Sequence, residues 1–403
     1  MLESHKQKIS KIIWVFIFCM PFLDVLTSFF LHFQGRSSYL ALGVKVFFLC
    51  WLVVLCFLRK QKKLFWYCSA FFVYVISFFL LATKCSSFFL EAQGLFRTFY
   101  FPFVFLALFF LQKQGFFFVS KRNLCFLLLI YLVFLIVPEI FHIGFASYAH
   151  SKVGGIGWFY STNEIGGILA ILGPFFLKKL LGQKWWIGLL GLFLYLFGIL
   201  VLGSKAPVLS FGIMVGCFLF SYLLSLWRKK ERKKFFLSLF CAFVVSICLS
   251  FVLYHSSFYK NIKIHLNFLE IHEVSDLFTF HHIDHFIFSE RLSFLKDTHE
   301  LYLSQSFPRQ IFGMGILDIS KGVSMKMVEM DVFDIVYHYG LCGLLLFFYP
   351  FFNIIKRFKF GFEEKVSLSL ILLLCLFTGH ILVAPSVSLI CSLVLLPKCE
   401  EEI

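Results

Sequence analysis

The chain has 403 residues, of which 60% are apolar and 61 are Phe. A soluble fold cannot cover that much apolar surface, so the composition excludes a water-soluble enzyme and leaves a polytopic membrane protein. The net charge of +15 does not indicate nucleic acid, because Lys and Arg sit in short clusters between apolar runs, the positive-inside pattern of a membrane protein.

A bilayer core of ~30 Å needs ~20 apolar residues per helix. Twelve segments meet that demand, at 12–32, 39–58, 64–82, 97–111, 123–143, 163–181, 185–203, 206–226, 235–255, 333–353, 366–384 and 386–397. The first is too long for a signal-peptide core and has no small-residue cleavage site, so it reads as a retained helix. Basic clusters lie at Lys6-Lys8-Lys11, Arg59-Lys60-Lys62-Lys63, Lys113-Lys121-Arg122, Lys178-Lys179-Lys184, Arg228 to Lys234 and Lys356-Arg357-Lys359. All fall on one side if both termini are cytoplasmic. The 13 Cys residues contain no CxxC pair and mostly occupy apolar runs, where Cys is a small hydrophobe.

The expected fold is therefore all-α: one transmembrane domain over 1–403, about twelve membrane helices, and one large external loop, 256–330, between helices 9 and 10. That loop is rich in His and acids. Ser289 could cap a short helix within it, with Leu292, Leu295 and Tyr302 on one face. His281-His282-Ile283-Asp284-His285 has the residue types of a metal site, but its spacing matches no ligand pattern and it reads as a solvated loop. No metal and no cofactor are expected.

Besides the His cluster, three stretches could carry chemistry. Gly154 to Gly166 combines glycines, which allow close backbone approach, with Trp158, Tyr160 and Asn163. Its bland reading is a capping box, Ser161-x-x-Glu164, beside a belt of interfacial aromatics. Gly203-Ser204-Lys205 is a short outer turn. Lys205 either snorkels to headgroups or, with the turn's N–H groups, binds phosphate. Arg97, at the outer mouth of the fourth span, is a further anion binder. Arg291 suits bidentate phosphate recognition. Glu329, Asp331 and Asp334 crowd the mouth of the tenth span, with Asp331, Asp334 and His338 on one helical face. Acids favour a first helical turn, yet three so close to a membrane point to function for at least one. Asp24 and His380 are further intramembrane polar residues.

These residues resemble the superfamily of O-antigen ligases and O-antigen polymerases, over most of the chain. Trp158-Phe159-Tyr160-Ser161-Thr162-Asn163 is similar to its aromatic-x-x-Asn segment, and Gly203-Ser204-Lys205 to its Ser-Arg turn, with Lys for Arg. Ser289-Glu290-Arg291 is similar to its loop Arg, Phe312-Gly313-Met314-Gly315 to its glycine pair, and Gly340-x-x-Gly343 to the end of its loop-to-helix motif. The ligase branch carries His, usually followed by Asn, eleven residues before the first glycine of that motif. Here that position is Glu329.

The resemblance implies a metal-independent membrane glycosyltransferase acting on an oligosaccharide carried by a polyprenyl diphosphate, at the outer face of a bacterial cytoplasmic membrane. Glu329 would be the base, Asp331 its deputy, and Arg291 the stabiliser of the leaving diphosphate. Lys205, Arg97, Asn163, Trp158, Tyr160, Asp334 and His338 would contact substrate. Partners would be the bilayer, the lipid-linked glycan, and flippase and chain-length regulator proteins, with no nucleic acid. Glu in place of His favours a polymerase of capsule, exopolysaccharide or wall-glycan repeats, as does a Phe- and Lys-rich composition in keeping with an AT-rich bacterium lacking lipopolysaccharide. The alternatives are a ligase with another acceptor and, from a different class, a lipid-glycan flippase or solute transporter. Against the last stands the absence of a repeated half.

Overall fold

The computed structural model describes residues 2–35, 39–82, 88–147, 153–271, 273, 276, 278–316, 328–355 and 359–396. Lys84, His272, Lys356, Arg357 and Lys398 lie outside them. The described elements are helical, apart from an isolated bridge between Ala146 and Gly155. Nine long helices come first: α1 (Leu2–Gln34), α2 (Tyr39–Leu58), α3 (Lys62–Ser77, continued by a π-turn over Phe78–Ala82), α4 (Phe88–Lys113), α5 (Lys121–Ile140), α6 (Thr162–Leu181), α7 (Trp185–Val201), α8 (Lys205–Arg228) and α9 (Arg232–Tyr254). Among the described residues, the long polar segment holds four short ones: α10 (Ser257–Phe268), α11 (Phe280–Ile283, continued by a π-turn over Asp284–Phe288), α12 (Arg291–Leu303) and α13 (Phe307–Phe312). Then follow α14 (Asp331–Ile355), α15 (Phe362–Phe377) and α16 (Pro385–Leu395).

Each apolar segment expected from the sequence is a helix. Among the described residues, eight are long and apolar enough to cross a membrane, and Trp185–Val201 and Pro385–Leu395 are shorter apolar helices. The chain is thus an all-helical, multi-pass membrane protein. Boundaries shift at several helices, α1 for one starting at Leu2 rather than 12, and two of the shifts have a cause in the contacts. α4 starts at Phe88 rather than 97, because polar Glu91 is buried and accepts the backbone N–H of Ile316 at 3.1 Å. α15 stops at Phe377 rather than 384, because Gly379 and His380 turn the chain with φ of 62° and 59°.

The chain divides into two compact units, one of residues 1–120, 274–361 and 371–403, the other of 121–273 and 362–370. The first is centred on α4, which packs on α2, α14 and α16 and is the most buried of the candidate spans. Its Phe-rich sequence serves aromatic packing. The Phe99 ring lies 4.8 Å from Phe71, 5.7 Å from Tyr339 and 6.1 Å from Phe347, within the range where offset and edge-on rings attract.

α14 is broken at Gly340, whose φ of 70° and ψ of −178° interrupt the helical ladder. A break at membrane depth frees carbonyls that lipid cannot satisfy. Here each finds a donor. Met314 N–H donates to Tyr337 O and Gly315 N–H to His338 O, both at 3.0 Å, and the Tyr74 hydroxyl donates to Tyr339 O at 2.7 Å. The crossing requires glycine on both strands. A Cβ on Gly340 would strike the Ile311 carbonyl, and one on Gly313 the His338 carbonyl.

In the second unit, α5 to α8 pack together and the buried Tyr195 hydroxyl donates to Leu169 O at 2.8 Å. Residues 145–147 and 154–157 form a small hairpin, with Phe145 N–H to Gly157 O at 2.7 Å and Ser147 N–H to Gly154 O at 2.9 Å. Its glycines wrap the Glu139 side chain, which accepts the Gly157 N–H at 3.0 Å. A Cβ on Gly144 or Gly155 would overlap that carboxylate.

Gly340→Ala is expected to destabilise the protein by roughly 2–4 kcal/mol, from left-handed backbone strain and steric overlap. Gly212→Ala and Gly216→Ala, where a Cβ meets nothing within 4 Å, are expected to leave stability unchanged. Thermal unfolding of detergent-purified variants measures the contrast.

Candidate active site

The sequence Val328-Glu329-Met330-Asp331 enters α14 through a tight turn. Glu329 is held left-handed at φ 58°. Its main chain abuts the end of α15, where a Cβ on Gly379 would strike the Glu329 carbonyl. This approach places Glu329 beside the C-terminal carbonyls of α15. Arg291 lies between them: Nη2 donates to Glu329 Oε2 at 3.0 Å and Nη1 to the Phe377 carbonyl at 2.6 Å. The guanidinium therefore meets a carboxylate and the negative end of a helix dipole. The Arg291 side chain is 12% exposed and that of Glu329 47%. Arg291 Nε is buried without a partner among the described residues.

Local sequence explains the position of Arg291. Ser289 and Glu290 both adopt left-handed conformations, with φ of 55° and 69°, and turn the chain sharply into α12. The cap of that helix comes from Asp284, not Ser289. Asp284 is buried, and its carboxylate accepts Leu292 N–H and Ser293 N–H, each at 2.9 Å. Such a carboxylate satisfies orphan donors and favours the positive helix start. The His-rich cluster thus contains the structural cap of the Arg291 helix. Its His285 Nδ1 lies 3.2 Å from Glu290 Oε1. At the far end of α12, burial pushes the Tyr302 phenol above its ordinary pKa, and its hydroxyl donates to Gln310 O at 2.5 Å.

Asp331, Asp334 and His338 share the buried face of α14. The Asp331 carboxylate is fully enclosed and accepts three backbone N–H groups, from His380 at 2.5 Å, Ile381 at 2.9 Å and Leu382 at 2.6 Å. It fixes the non-helical peptide between α15 and α16. Asp334 Oδ2 accepts Met330 N–H at 3.2 Å, closing the first turn. His338 is buried, and its Nε2 has no partner among the described residues. Arg97 is exposed on α4 in the same unit. The first unit therefore brings together Arg291, Glu329, Asp331, Asp334 and His338 around the start of α14.

Lys205, Asn163, Trp158 and Tyr160 belong to the second unit. Lys205 opens α8, and its Nζ lies 3.2 Å from His265 Nδ1. The turn before it is pinned by Asn261 of α10, whose amide donates to Gly203 O at 2.9 Å and Val153 O at 2.5 Å. Ser161 caps α6 by accepting Glu164 N–H at 3.4 Å, with Asn163 in the first turn. Trp158 donates its indole N–H to Ile143 O at 3.3 Å, while Tyr160 is exposed. The glycines of this loop pack on Glu139 and on α5.

Sequence reading passed over Glu91, Glu139 and Lys45. Each is a lone charge in or at the end of an apolar run, and the rule that intramembrane charges are rarely idle would have found all three.

A family model described as "O-antigen ligase like membrane protein" matches residues 6–277 and 278–397. The chain belongs to the O-antigen ligase-like family. It is accordingly a glycan-processing membrane enzyme of glycosyl-transfer type, working on lipid-linked glycan. No curated protein and no solved structure matches it.

Asp331→Asn would turn an NH2 donor toward backbone N–H groups. With buried donors each costing ~1–3 kcal/mol when unsatisfied, this variant is expected to lose several kcal/mol and to accumulate poorly in membranes. Glu329→Gln, at a half-exposed carboxylate, is expected to reach wild-type levels. Immunoblots of membrane fractions and unfolding curves check the difference.

Proposed function

We propose that the protein polymerises polyprenyl-diphosphate-linked oligosaccharide repeats into a surface polysaccharide, on the outer face of a bacterial cytoplasmic membrane. The reading is carried by one observation, the Arg291–Glu329 pair. Of the three acids at the mouth of α14, Glu329 alone keeps a substantially exposed carboxylate; Asp331 and Asp334 hold backbone amides. Glu329 is therefore the acid best able to reach a substrate hydroxyl.

The proposed reaction needs a base and a cation, and the pair supplies both. The acceptor hydroxyl gives its proton to Glu329 and its oxygen bonds to the anomeric carbon of the donor. The bond from that carbon to the diphosphate breaks, and its electron pair leaves on the polyprenyl diphosphate. Arg291 stabilises the charge that develops there. In the resting enzyme Arg291 holds Glu329. An arriving diphosphate, with greater charge and several acceptor oxygens, competes for the guanidinium. Donor binding then releases the carboxylate for proton transfer, which couples base activation to occupancy of the donor site.

The remaining roles are assigned on the same basis. Lys205 and Arg97 are proposed phosphate contacts, Asn163, Trp158 and Tyr160 proposed glycan contacts, and Asp334 and His338 lie inside the α14 entrance. The segment 256–330 is proposed to face outward and both termini to be cytoplasmic. Asp331, as a fully enclosed acceptor of three amides, serves the scaffold and stands second to Glu329 as base.

Glu329→Gln is expected to lower turnover by roughly 10²–10⁴-fold while still binding lipid-linked donor. Wild-type turnover in that variant, with Asp331→Asn folded and inactive, would reassign the base. Arg291→Ala is expected to abolish long polymer, and Arg291→Lys to restore it only in part, because Lys lacks the planar fork. Gel analysis of surface glycan from a deletion strain separates the classes. Single repeat units on the outer face indicate a polymerase, full-length chains stranded on the lipid a ligase, and units held on the inner face a flippase.

A further inference from the structure

A second polar cluster lies in the first unit, on α1, α2 and α16. Lys45 Nζ donates to Asp24 Oδ1 at 2.8 Å and to Ser386 Oγ at 2.7 Å, and the Ser386 hydroxyl donates to the same Asp24 oxygen at 2.7 Å. The two charged side chains are only 12% and 15% exposed. At ~1.5 Å per residue, Asp24 lies ~15 Å from the end of α1 and Lys45 ~9 Å from the start of α2. Both lengths fall within the hydrocarbon depth of a bilayer. An ion pair there is held against a desolvation penalty that apolar packing would avoid, so stability alone is a poor account of it.

What distinguishes the cluster is its place in the chain. Ser386 sits in the first turn of α16. Two residues later, the Ser388 hydroxyl reaches back to the Leu382 carbonyl at 2.6 Å. The N–H of the same Leu382 donates to Asp331 at 2.6 Å, and Asp331 follows Glu329 by two residues. Hydrogen bonds and main chain thus run without a gap from the Lys45 ammonium to the turn that carries Glu329.

We propose that Asp24, Lys45 and Ser386 are positioning residues: they clamp the start of α16, and thereby hold the peptide Gly379–Ala384 on Asp331 and Glu329 in reach of substrate. The kinetic part rests on the assignment of Glu329 as base; the structural part does not. A carboxylate displaced by about 1 Å loses roughly 10²-fold in rate, so a clamp acting only through position lowers kcat and spares donor binding.

The test combines hydrogen exchange with kinetics on the full-length protein in detergent or nanodiscs. In Lys45→Met, amide exchange across 379–384 is expected to rise at least about 10-fold while the interior of α4 stays protected. The kcat is expected to fall by roughly 10–100-fold, with KM for the lipid-linked donor changed less than about 2-fold. The exchanged pair Asp24→Lys/Lys45→Asp is expected to recover much of both. Ser386→Ala, which leaves the ion pair intact, supplies a milder variant should Lys45→Met fail to fold, and is expected to raise exchange in the same peptide. Wild-type exchange over 379–384 in a folded Lys45→Met or Ser386→Ala would overturn the clamp, as would a defect confined to KM. Should Glu329→Gln prove active, the base assignment falls while the exchange result still decides the clamp.

Discussion

Asp331 is the point on which the first unit depends. A carboxylate shut away from water beside a membrane must be matched by donors, and secondary structure uses up nearly all backbone N–H groups. The three that meet Asp331 exist only because α15 ends at Phe377 and α16 begins at Pro385, leaving His380, Ile381 and Leu382 outside any helix. The broken passage and the buried acid explain one another. Without Asp331 the peptide would carry orphan donors in an apolar setting, and without the peptide Asp331 could not stay buried. Glu329 and the Phe377 carbonyl are brought together as a consequence, and Arg291 has a place to bind.

A similar exchange governs the break at Gly340. Interrupting α14 frees the carbonyls of Tyr337, His338 and Tyr339, and the strand leaving α13 supplies Met314 and Gly315 N–H while α3 supplies Tyr74. The glycines are needed because two backbones cross at contact distance, which no Cβ permits. Breaks of this kind are tolerated at membrane depth where protein surrounds them. The first unit has a second such passage at Gly379–Ala384, and the residues proposed for catalysis lie against that one, Arg291 on the Phe377 carbonyl and Glu329 on Gly379.

The apolar helices were legible because a bilayer demands long apolar runs, and the sequence contains little else. The boundaries that shifted were set by distant partners. Glu91 looks like loop until its carboxylate is seen on Ile316, 225 positions away. Arg291 and Glu329 stood out as charges near a membrane, but their direct pairing was not predictable from a spacing of 38 residues. Glu329 ranks above Asp331 and Asp334 in the sequence only through the family resemblance, because local sequence cannot reveal which acid a remote peptide will enclose. The glycines at 154–157 suggested room for a ligand. Their use in packing against Glu139 depends on the end of α5, which no pattern within the loop announces.

In the reaction proposed above, the contrast among the three acids bears on how the base is kept in check. Near a bilayer a lone carboxylate is costly, and one left free would attract stray cations or protons. Arg291 removes that cost at rest by occupying Glu329, and the Phe377 carbonyl holds the guanidinium from the other side, so the cation stays when the carboxylate lets go. A diphosphate is the ligand class best suited to take over the fork, because it presents several charged oxygens where Glu329 presents one contact. On the proposed reading, the geometry that quiets the base in the empty site also selects the leaving group whose arrival frees it. Glu suits this arrangement better than neutral His would, since a carboxylate adds charge attraction to the hydrogen bond that a neutral acceptor could also make.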